Sequence, residues 1–159
     1  MAHFSELGEN NVVKRVVVVG NDIPTADGPL GENDMHVDGE TWCQKFFKGG
    51  TWKQTSYNAS FRKHYGGKGF TYDVEKDMFI SPQPFTSYTL DSNGDWQPPL
   101  AKPTIVNDGQ DPVVWEYLIV WKDNKYQANN TTGWEATKSN DFKESRTVYD
   151  WNGTAWISE

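Results

Sequence analysis

The chain has 159 residues, a formal net charge of −7 and eight tryptophans, and 14% of its residues are aromatic. This length suits one main core with an attached lobe, and large rings can build that core. The negative charge argues against a nucleic-acid partner, because phosphate binding depends on clustered Lys and Arg. The one local exception is the basic stretch Arg62, Lys63, His64 and Lys68. No apolar run is long enough to span a bilayer, so we also expect no membrane partner.

Two β-prone segments open the chain, at residues 2–7 and 12–19, and they flank a turn at residues 8–11. They predict an antiparallel hairpin. The second segment is rich in valine, and a continuous β-branched run needs cover on both faces, so we expect it to lie near the centre of its sheet. Residues 20–38 are rich in Gly, Pro, Asp and Asn and predict a long exposed loop.

A helix is predicted near residues 40–48. Trp42, Cys43, Phe46 and Phe47 have the spacing of one helical face, and the following pair of glycines supplies a stop. The single cysteine lies within this helix, where a buried structural thiol is expected rather than a reactive one.

Three later segments share one hairpin pattern, at residues 70–80, 88–96 and 149–157. Each has bulky residues at alternate positions, an Asp or Asn that opens a tight turn, and a bulky residue on the return. Asx side chains accept backbone hydrogen bonds inside turns, so the pattern has a physical cause.

The predicted fold class is mainly β with one short helix, a β-rich α+β protein whose antiparallel aromatic hairpins form a small sandwich or barrel-like body. A Pro, Gly and Asp-rich segment at 100–112 predicts a linker, because proline cannot donate to a sheet. It divides a β-rich body at 1–99 from a C-terminal aromatic lobe at 113–159. That lobe begins with a strong strand at 113–121 and a turn at 123–125.

Residues 34–40 superficially resemble the start of a calcium loop, but the twelfth position holds Lys45 in place of the required Glu. Residues 91–95 also offer oxygen ligands, although a hairpin turn explains them better. With one Cys and three scattered His, and without a nucleophile elbow or phosphate loop, we expect no metal, no cofactor and no catalytic residues. Paired carboxylates placed by folding keep an enzyme acting on cell-wall sugar as an alternative.

Four aromatic residues of the C-terminal lobe are the candidate binding surface: Trp115, Tyr117, Trp121 and Tyr126. Since side chains alternate along a strand, some of the four must face inward. Their composition suits either a small core or a platform for carbohydrate stacking.

Four segments carry a resemblance to a known family: residues 1–4, 52–58, 61–73 and 79–85. Together they resemble small uncharacterised proteins of tailed phages of marine bacteria, especially cyanophages. The likeness covers residues 1 to about 99, apart from a longer loop at 22–38, and residues 149–156 resemble the aromatic end of some members. Residues 100–148 depart from the pattern.

The resemblance implies a virion component made in the host cytoplasm. We expect a non-enzymatic capsid decoration protein on the outer head shell. Its partners would be other virion proteins, foremost the major capsid protein, and further copies of itself. The alternative is a tail, neck or fibre-associated binding module that contacts host glycans.

Overall fold

The computed structural model describes residues 1–26, 28–30 and 37–159. It divides the chain into two compact units, Met1–Pro82 and Gln83–Glu159. The described residues form antiparallel sheets with one helix of several turns, so the predicted mainly β fold class is confirmed.

The first unit is built on a three-stranded antiparallel sheet of order β2-β1-β5. Its elements in chain order are β1 (Ala2–Leu7), β2 (Val13–Val19), β3 (Pro24–Thr25), β4 (Gly28–Pro29), α1 (Val37–Phe46), β5 (Thr51–Thr55), β6 (Thr71–Asp73) and β7 (Met78–Ile80). The predicted hairpin of the first two strands is confirmed, with Phe4 opposite Val17.

The prediction that the valine-rich strand β2 is central was wrong, because β1 lies between β2 and β5. Val18 on the edge strand is 53% exposed, whereas Phe4 and Ser5 of β1 are completely buried, although they point to opposite faces of the sheet. Ser5 tolerates burial since its hydroxyl donates to the Gly66 carbonyl at 2.6 Å. The high valine content of β2 therefore did not predict its position in the sheet correctly.

Both faces of this sheet are covered. On one face, α1 and the short β3–β4 hairpin enclose the cluster Ala2, Phe4, Val19, Leu30, Cys43 and Trp52. On the other face, the β6–β7 hairpin helps to enclose Leu7, Val13, Tyr72 and Phe79. The first unit thus has a layered core on each side of β1.

Helix α1 confirms the predicted helix, although it begins at Val37 and ends at Phe46, earlier than expected. The chain then turns, with the Gly49 amide donating to the Gln44 carbonyl at 2.7 Å. A Cβ at Gly39 would lie 2.5 Å from the Phe4 ring, so glycine lets the helix approach the sheet closely. The predicted loop at 20–38 lies partly outside the described residues; within it, Leu30 is buried in the core.

The second unit contains a four-stranded antiparallel sheet of order β10-β11-β12-β13 and a separate hairpin. Its elements are β8 (Thr89–Leu90), β9 (Trp96–Gln97), β10 (Tyr117–Trp121), α2 (Asp123–Ala128), β11 (Trp134–Lys138), β12 (Tyr149–Trp151) and β13 (Trp156–Ser158). The turn predicted at 123–125 is the start of the short helix α2, and β11 had no counterpart among the predicted strands.

All three predicted aromatic hairpins are confirmed, as β6–β7, β8–β9 and β12–β13. Their turns use the expected Asx chemistry. Asp91 Oδ1 accepts the backbone N–H groups of Asn93 and Asp95, each at 2.9 Å. Asn152 Oδ1 accepts the N–H of Ala155 at 2.8 Å.

The boundary between the units falls after Pro82, whereas the sequence placed it within 100–112. Residues 100–106 instead lie along the sheet of the second unit. The indole N–H of Trp134 donates to the Leu100 carbonyl at 3.3 Å, and that of Trp156 donates to the Ile105 carbonyl at 2.7 Å. This segment, which contains Pro103, therefore covers the sheet, and its carbonyls accept hydrogen bonds from the indoles of the buried Trp134 and the partly buried Trp156.

Candidate binding surfaces

Two of the four aromatic residues predicted as a binding surface belong to the core of the second unit. Trp121 is buried, and its ring lies 5.0 Å from Trp134 and 5.5 Å from Tyr126, centroid to centroid. Its indole N–H donates to Asp123 Oδ1 at 3.0 Å. Buried in this way, Trp121 stabilises the sheet and is not available to a partner.

The other two, Trp115 and Tyr117, form a separate and partly buried group. Their rings meet edge to face at 4.9 Å, and Tyr117 lies 5.0 Å from Trp156. The Lys138 ammonium lies 4.4 Å from the centre of the Trp115 ring, within cation–π range. The four predicted residues therefore divide between two clusters and do not make one open platform.

The opposite face of the same sheet is exposed. Leu118 and Val120 on β10 are each 46% exposed, and Ile157 on β13 is 52% exposed. Because side chains alternate along each strand and directly paired residues share a face, these three lie on the side away from Trp121. The alternation of aromatic and aliphatic side chains within 117–121 could have indicated this face. The prediction instead selected the aromatic residues, which lie on the other side of the sheet.

A lysine-centred ion cluster lies between these aliphatic side chains. The Lys125 ammonium contacts Glu135 Oε2 at 2.9 Å, Asp150 Oδ1 at 2.8 Å and a carboxylate oxygen of Glu159. Burial alone would lower the pKa of Lys125, but the three carboxylates raise it well above its usual value.

The carboxylate oxygens of Glu135, Asp150 and Glu159 lie within 4.8 Å of one another, close enough to hold a metal ion. The Lys125 ammonium already supplies the positive charge between them, so the structure accounts for this acidic group as an ion-pair cluster. For the loop at 34–40, the suggested calcium ligands Asp34 and His36 lie outside the described residues.

The first unit holds a second ion network, centred on Arg62. Its Nη1 donates to Glu40 Oε1 at 2.9 Å and to the Gln54 carbonyl at 2.8 Å, and its Nε donates to Asp77 Oδ1 at 2.8 Å. The Arg62 side chain is almost fully buried. The basic stretch at 62–68 is therefore not a free phosphate-binding surface, because its arginine is committed to internal carboxylates.

Tyr72 extends this network. Its hydroxyl donates to Asp77 Oδ1, and burial followed by that hydrogen bond raises the pKa of Tyr72 to about 12. Burial alone would raise the pKa of Asp77, but the Tyr72 hydroxyl and the Arg62 guanidinium lower it. The network thus holds Asp77 ionised and Tyr72 protonated, which keeps both bonds intact over a wide pH range.

The Cys43 thiol is buried, as expected for a structural cysteine. Burial, with a smaller effect from the Glu40 charge, raises its pKa to about 12. A thiol with so high a pKa is a poor nucleophile near neutral pH.

Comparison with known proteins found no matching family model, no similar curated protein and no similar solved structure. None of the helices within the described ranges combines the length and apolar character that crossing a bilayer requires.

Proposed function

We propose that this protein is a non-enzymatic component of a phage particle, a capsid decoration protein that docks on the outer head shell. The observation that carries the proposal is the exposed face of the second sheet, where Leu118, Val120 and Ile157 share one side of the sheet with the carboxylates that bind Lys125. The viral origin rests on the resemblance of residues 1–99 to proteins of marine tailed phages.

This face has the character of a docking surface. Its three aliphatic side chains project from a sheet whose other side is braced by packed tryptophans, so little ordering is needed on binding. Burying apolar area contributes roughly 25 cal/mol per Å². The Lys125 cluster would add specificity, because charged groups at an interface mainly select the partner and its orientation.

The charge of the chain favours one kind of partner. The net charge is −7, and on this face three carboxylates (Glu135, Asp150 and Glu159) outnumber the two lysines that pair with them, so a complementary surface carries aliphatic side chains flanked by Lys or Arg. We propose that the major capsid protein presents such a surface at many equivalent positions on the head.

The main carboxylate clusters support a structural role. Glu40 and Asp77 pair with Arg62, and Glu135 and Asp150 pair with Lys125. Carboxylates in ion pairs of this kind stabilise the fold. A glycosidase instead requires one carboxylic acid with a raised pKa opposite a second, ionised carboxylate.

A tail, neck or fibre-associated module is the second candidate. It is favoured by the exposed ring of Tyr57 in the first unit, which is 74% exposed and stacked on His3. An open aromatic ring of this kind suits contact with glycans on a host cell.

Quantitative mass spectrometry of purified virions tests the location. A copy number close to that of the major capsid protein, retained on tailless heads, supports decoration. A few copies that disappear with the tail favour the second candidate, and absence from complete particles overturns a virion role altogether.

A reconstitution experiment tests the face itself. Heads stripped of this protein are incubated with the purified wild-type chain and with a Leu118→Ser/Ile157→Ser variant. We expect the double variant to lose occupancy, while Val74→Ser, at an exposed valine of the first unit, binds like wild type. Equal binding by all three proteins would exclude this face as the contact.

A further inference from the structure

The beginning of β1 and the loop that follows β5 form a small open cleft in the first unit. Pairing of His3 with Thr55 brings these distant segments together. The cleft has a volume of about 210 Å³, and the described residues that line it include Met1, His3, Tyr57, Asn58 and Ser60. Docking on the head does not require this cleft, whereas the second candidate function does draw on its Tyr57 ring, so an inference about the cleft rests on that candidate and names its ligand class.

His3 and Tyr57 line this cleft, and the ring of Tyr65 contacts both of them. Tyr57 stacks on His3 with ring centres 5.6 Å apart and an angle of 29°, and Tyr65 meets both rings edge-on, at 6.0 Å from His3 and 6.1 Å from Tyr57. Tyr57 is nevertheless 74% exposed, so the ring face turned away from His3 is open to a ligand.

The loop that carries Tyr65 is fixed to the sheet. The Gly66 amide donates to Thr55 Oγ1 at 2.7 Å, and the Gly66 carbonyl accepts the Ser5 hydroxyl at 2.6 Å. Both hydrogen bonds are buried. The rings therefore form a preorganised platform, which reduces the entropy lost when a ligand is bound.

The rest of the cleft is polar and carries little charge. Asn58 and Ser60 are exposed, and the hydroxyls of Ser56 and Ser60 contact each other at 2.7 Å. Among the described lining residues there is no Asp, Glu, Lys or Arg side chain, and the amino group of Met1 is the one charged group. Burial, with a smaller effect from the amino terminus, lowers the pKa of His3, so this ring is mainly neutral at pH 7.

We propose that this cleft binds one ring of a neutral saccharide. A pyranose has an apolar face of C–H groups that packs on an aromatic ring, and a rim of hydroxyls that exchange hydrogen bonds with amide and hydroxyl side chains. The open face of Tyr57 supplies the first contact, and Asn58 and Ser60 supply the second. The volume fits a single sugar, since it is below the roughly 300 to 1,000 Å³ typical of drug-sized ligands.

Charge distinguishes this ligand from others that stack on aromatic rings. A nucleotide or an acidic sugar needs a cation near its anionic group, and single-stranded nucleic acid is bound in positively charged grooves. The described lining residues offer no Lys or Arg side chain for this purpose, and the amino group of Met1 is their one cation, so we expect a neutral sugar to bind in preference to an anionic ligand.

The test is a titration of the full-length protein with chitotetraose, cellotetraose and maltotetraose, followed by proton NMR of the histidine rings. The chain has three histidines, so the His3 signals are assigned by their loss in His3→Asn. We expect at least one sugar to shift the His3 signals saturably, with a Kd of about 1 mM, and to leave the His64 signals in place.

Tyr57→Ala should weaken this binding about tenfold or more, by analogy with the loss of one aromatic stacking contact. Tyr57→Trp should retain it, and Phe142→Ala, at another highly exposed ring, should not change it. Protection of the Cys43 thiol reports that each variant is folded. The proposal is overturned if none of the sugars shifts the His3 signals, if Tyr57→Ala binds like wild type, or if sialyllactose binds more tightly than every neutral sugar.

Discussion

Arg62 and Glu40 form a largely buried ion pair in the first unit, with Nη1 and Oε1 2.9 Å apart. Glu40 lies on α1, which precedes β5 in the chain, and Arg62 lies in the loop between β5 and β6. The ion pair therefore connects a segment before β5 with a segment after it. The same Glu40 oxygen accepts the backbone N–H of Gln54 at 2.9 Å. One carboxylate therefore links the helix, the sheet and the loop.

Arg62→Gln should destabilise the first unit by about 3 to 5 kcal/mol, because it leaves the Glu40 charge buried without its main partner. Residue 62 has a positive φ of 54°, which strains glutamine and arginine to a similar extent, so the substitution tests the side chain and not the backbone. Urea denaturation followed by tryptophan fluorescence measures the change. Lys14→Gln, at an exposed partner of Glu6, is the control and should cost less than about 1 kcal/mol.

The double variant Arg62→Gln/Glu40→Gln sharpens this prediction. We expect it to be less destabilised than the sum of the two single variants, since no unpaired buried charge remains. Strict additivity of the two single changes would contradict a direct energetic coupling between these residues.

Acid should weaken the first unit through Asp77. The pKa of Asp77 is lowered in the folded state, so its contribution to stability is present above its ordinary pKa and is lost as pH falls through the folded value. We expect wild type to lose stability progressively in the interval below about pH 5. Asp77→Asn should be less stable at neutral pH and should depend less on pH in that interval.

The urea midpoint at several pH values measures this effect. Glu75→Gln, at an exposed carboxylate of the same hairpin, is the matched control and should follow wild type. A pH profile for Asp77→Asn that runs parallel to wild type would show that other carboxylates cause the acid sensitivity.

Replacing each of two adjacent glycines, Gly66 and Gly67, with alanine should change the stability of the first unit by different amounts. A Cβ at Gly66 would lie 2.4 Å from a carbon of the Phe79 ring, which is completely buried and cannot move aside. At Gly67 the nearest atom would be 3.7 Å away, an ordinary contact. Gly66→Ala should therefore cost about 1 to 3 kcal/mol.

Gly67→Ala should have a much smaller effect on the free energy of unfolding. Thermal denaturation of both variants under one set of conditions compares them. Similar melting temperatures would mean that the loop moves away from Phe79 at little cost.

The Cys43 thiol should report opening of the first unit. Because its pKa is about 12 and it is buried, it should react with an aromatic disulfide reagent at neutral pH far more slowly than the same thiol in urea. Absorbance of the released thiolate measures the rate. Arg62→Gln should accelerate the reaction, and immediate stoichiometric labelling of the native wild type would contradict a buried thiol.

Local features were predictable because their causes are local. The turn at residues 91–95 depends on an Asp oxygen and on two amides a few residues away, so the sequence contains the whole cause. Helix α1 was predictable for a similar reason, as its apolar spacing and the glycines after it lie within one short segment. Its first residue was missed, since Val37 has no marker that sets it apart from the loop.

The candidate surfaces were less predictable. The sequence grouped Trp121 with Trp115 because both are rings in one strand segment, but burial depends on what covers each ring. The cover at Trp134 and Trp156 comes from Leu100 and Ile105, which the sequence assigned to a linker. The cleft at Tyr57 was also missed, since nothing local relates it to His3.

The mainly β character, the three aromatic hairpins, the helix and the buried state of Cys43 could all be predicted from the sequence. Each follows from periodicity or turn chemistry over a few residues. The central position of β1, the division of the units after Pro82 and the internal pairing of Arg62 became apparent only in the folded chain. These features depend on contacts between residues far apart in the chain, and many alternative pairings have the same local pattern, so only the packed fold selects among them.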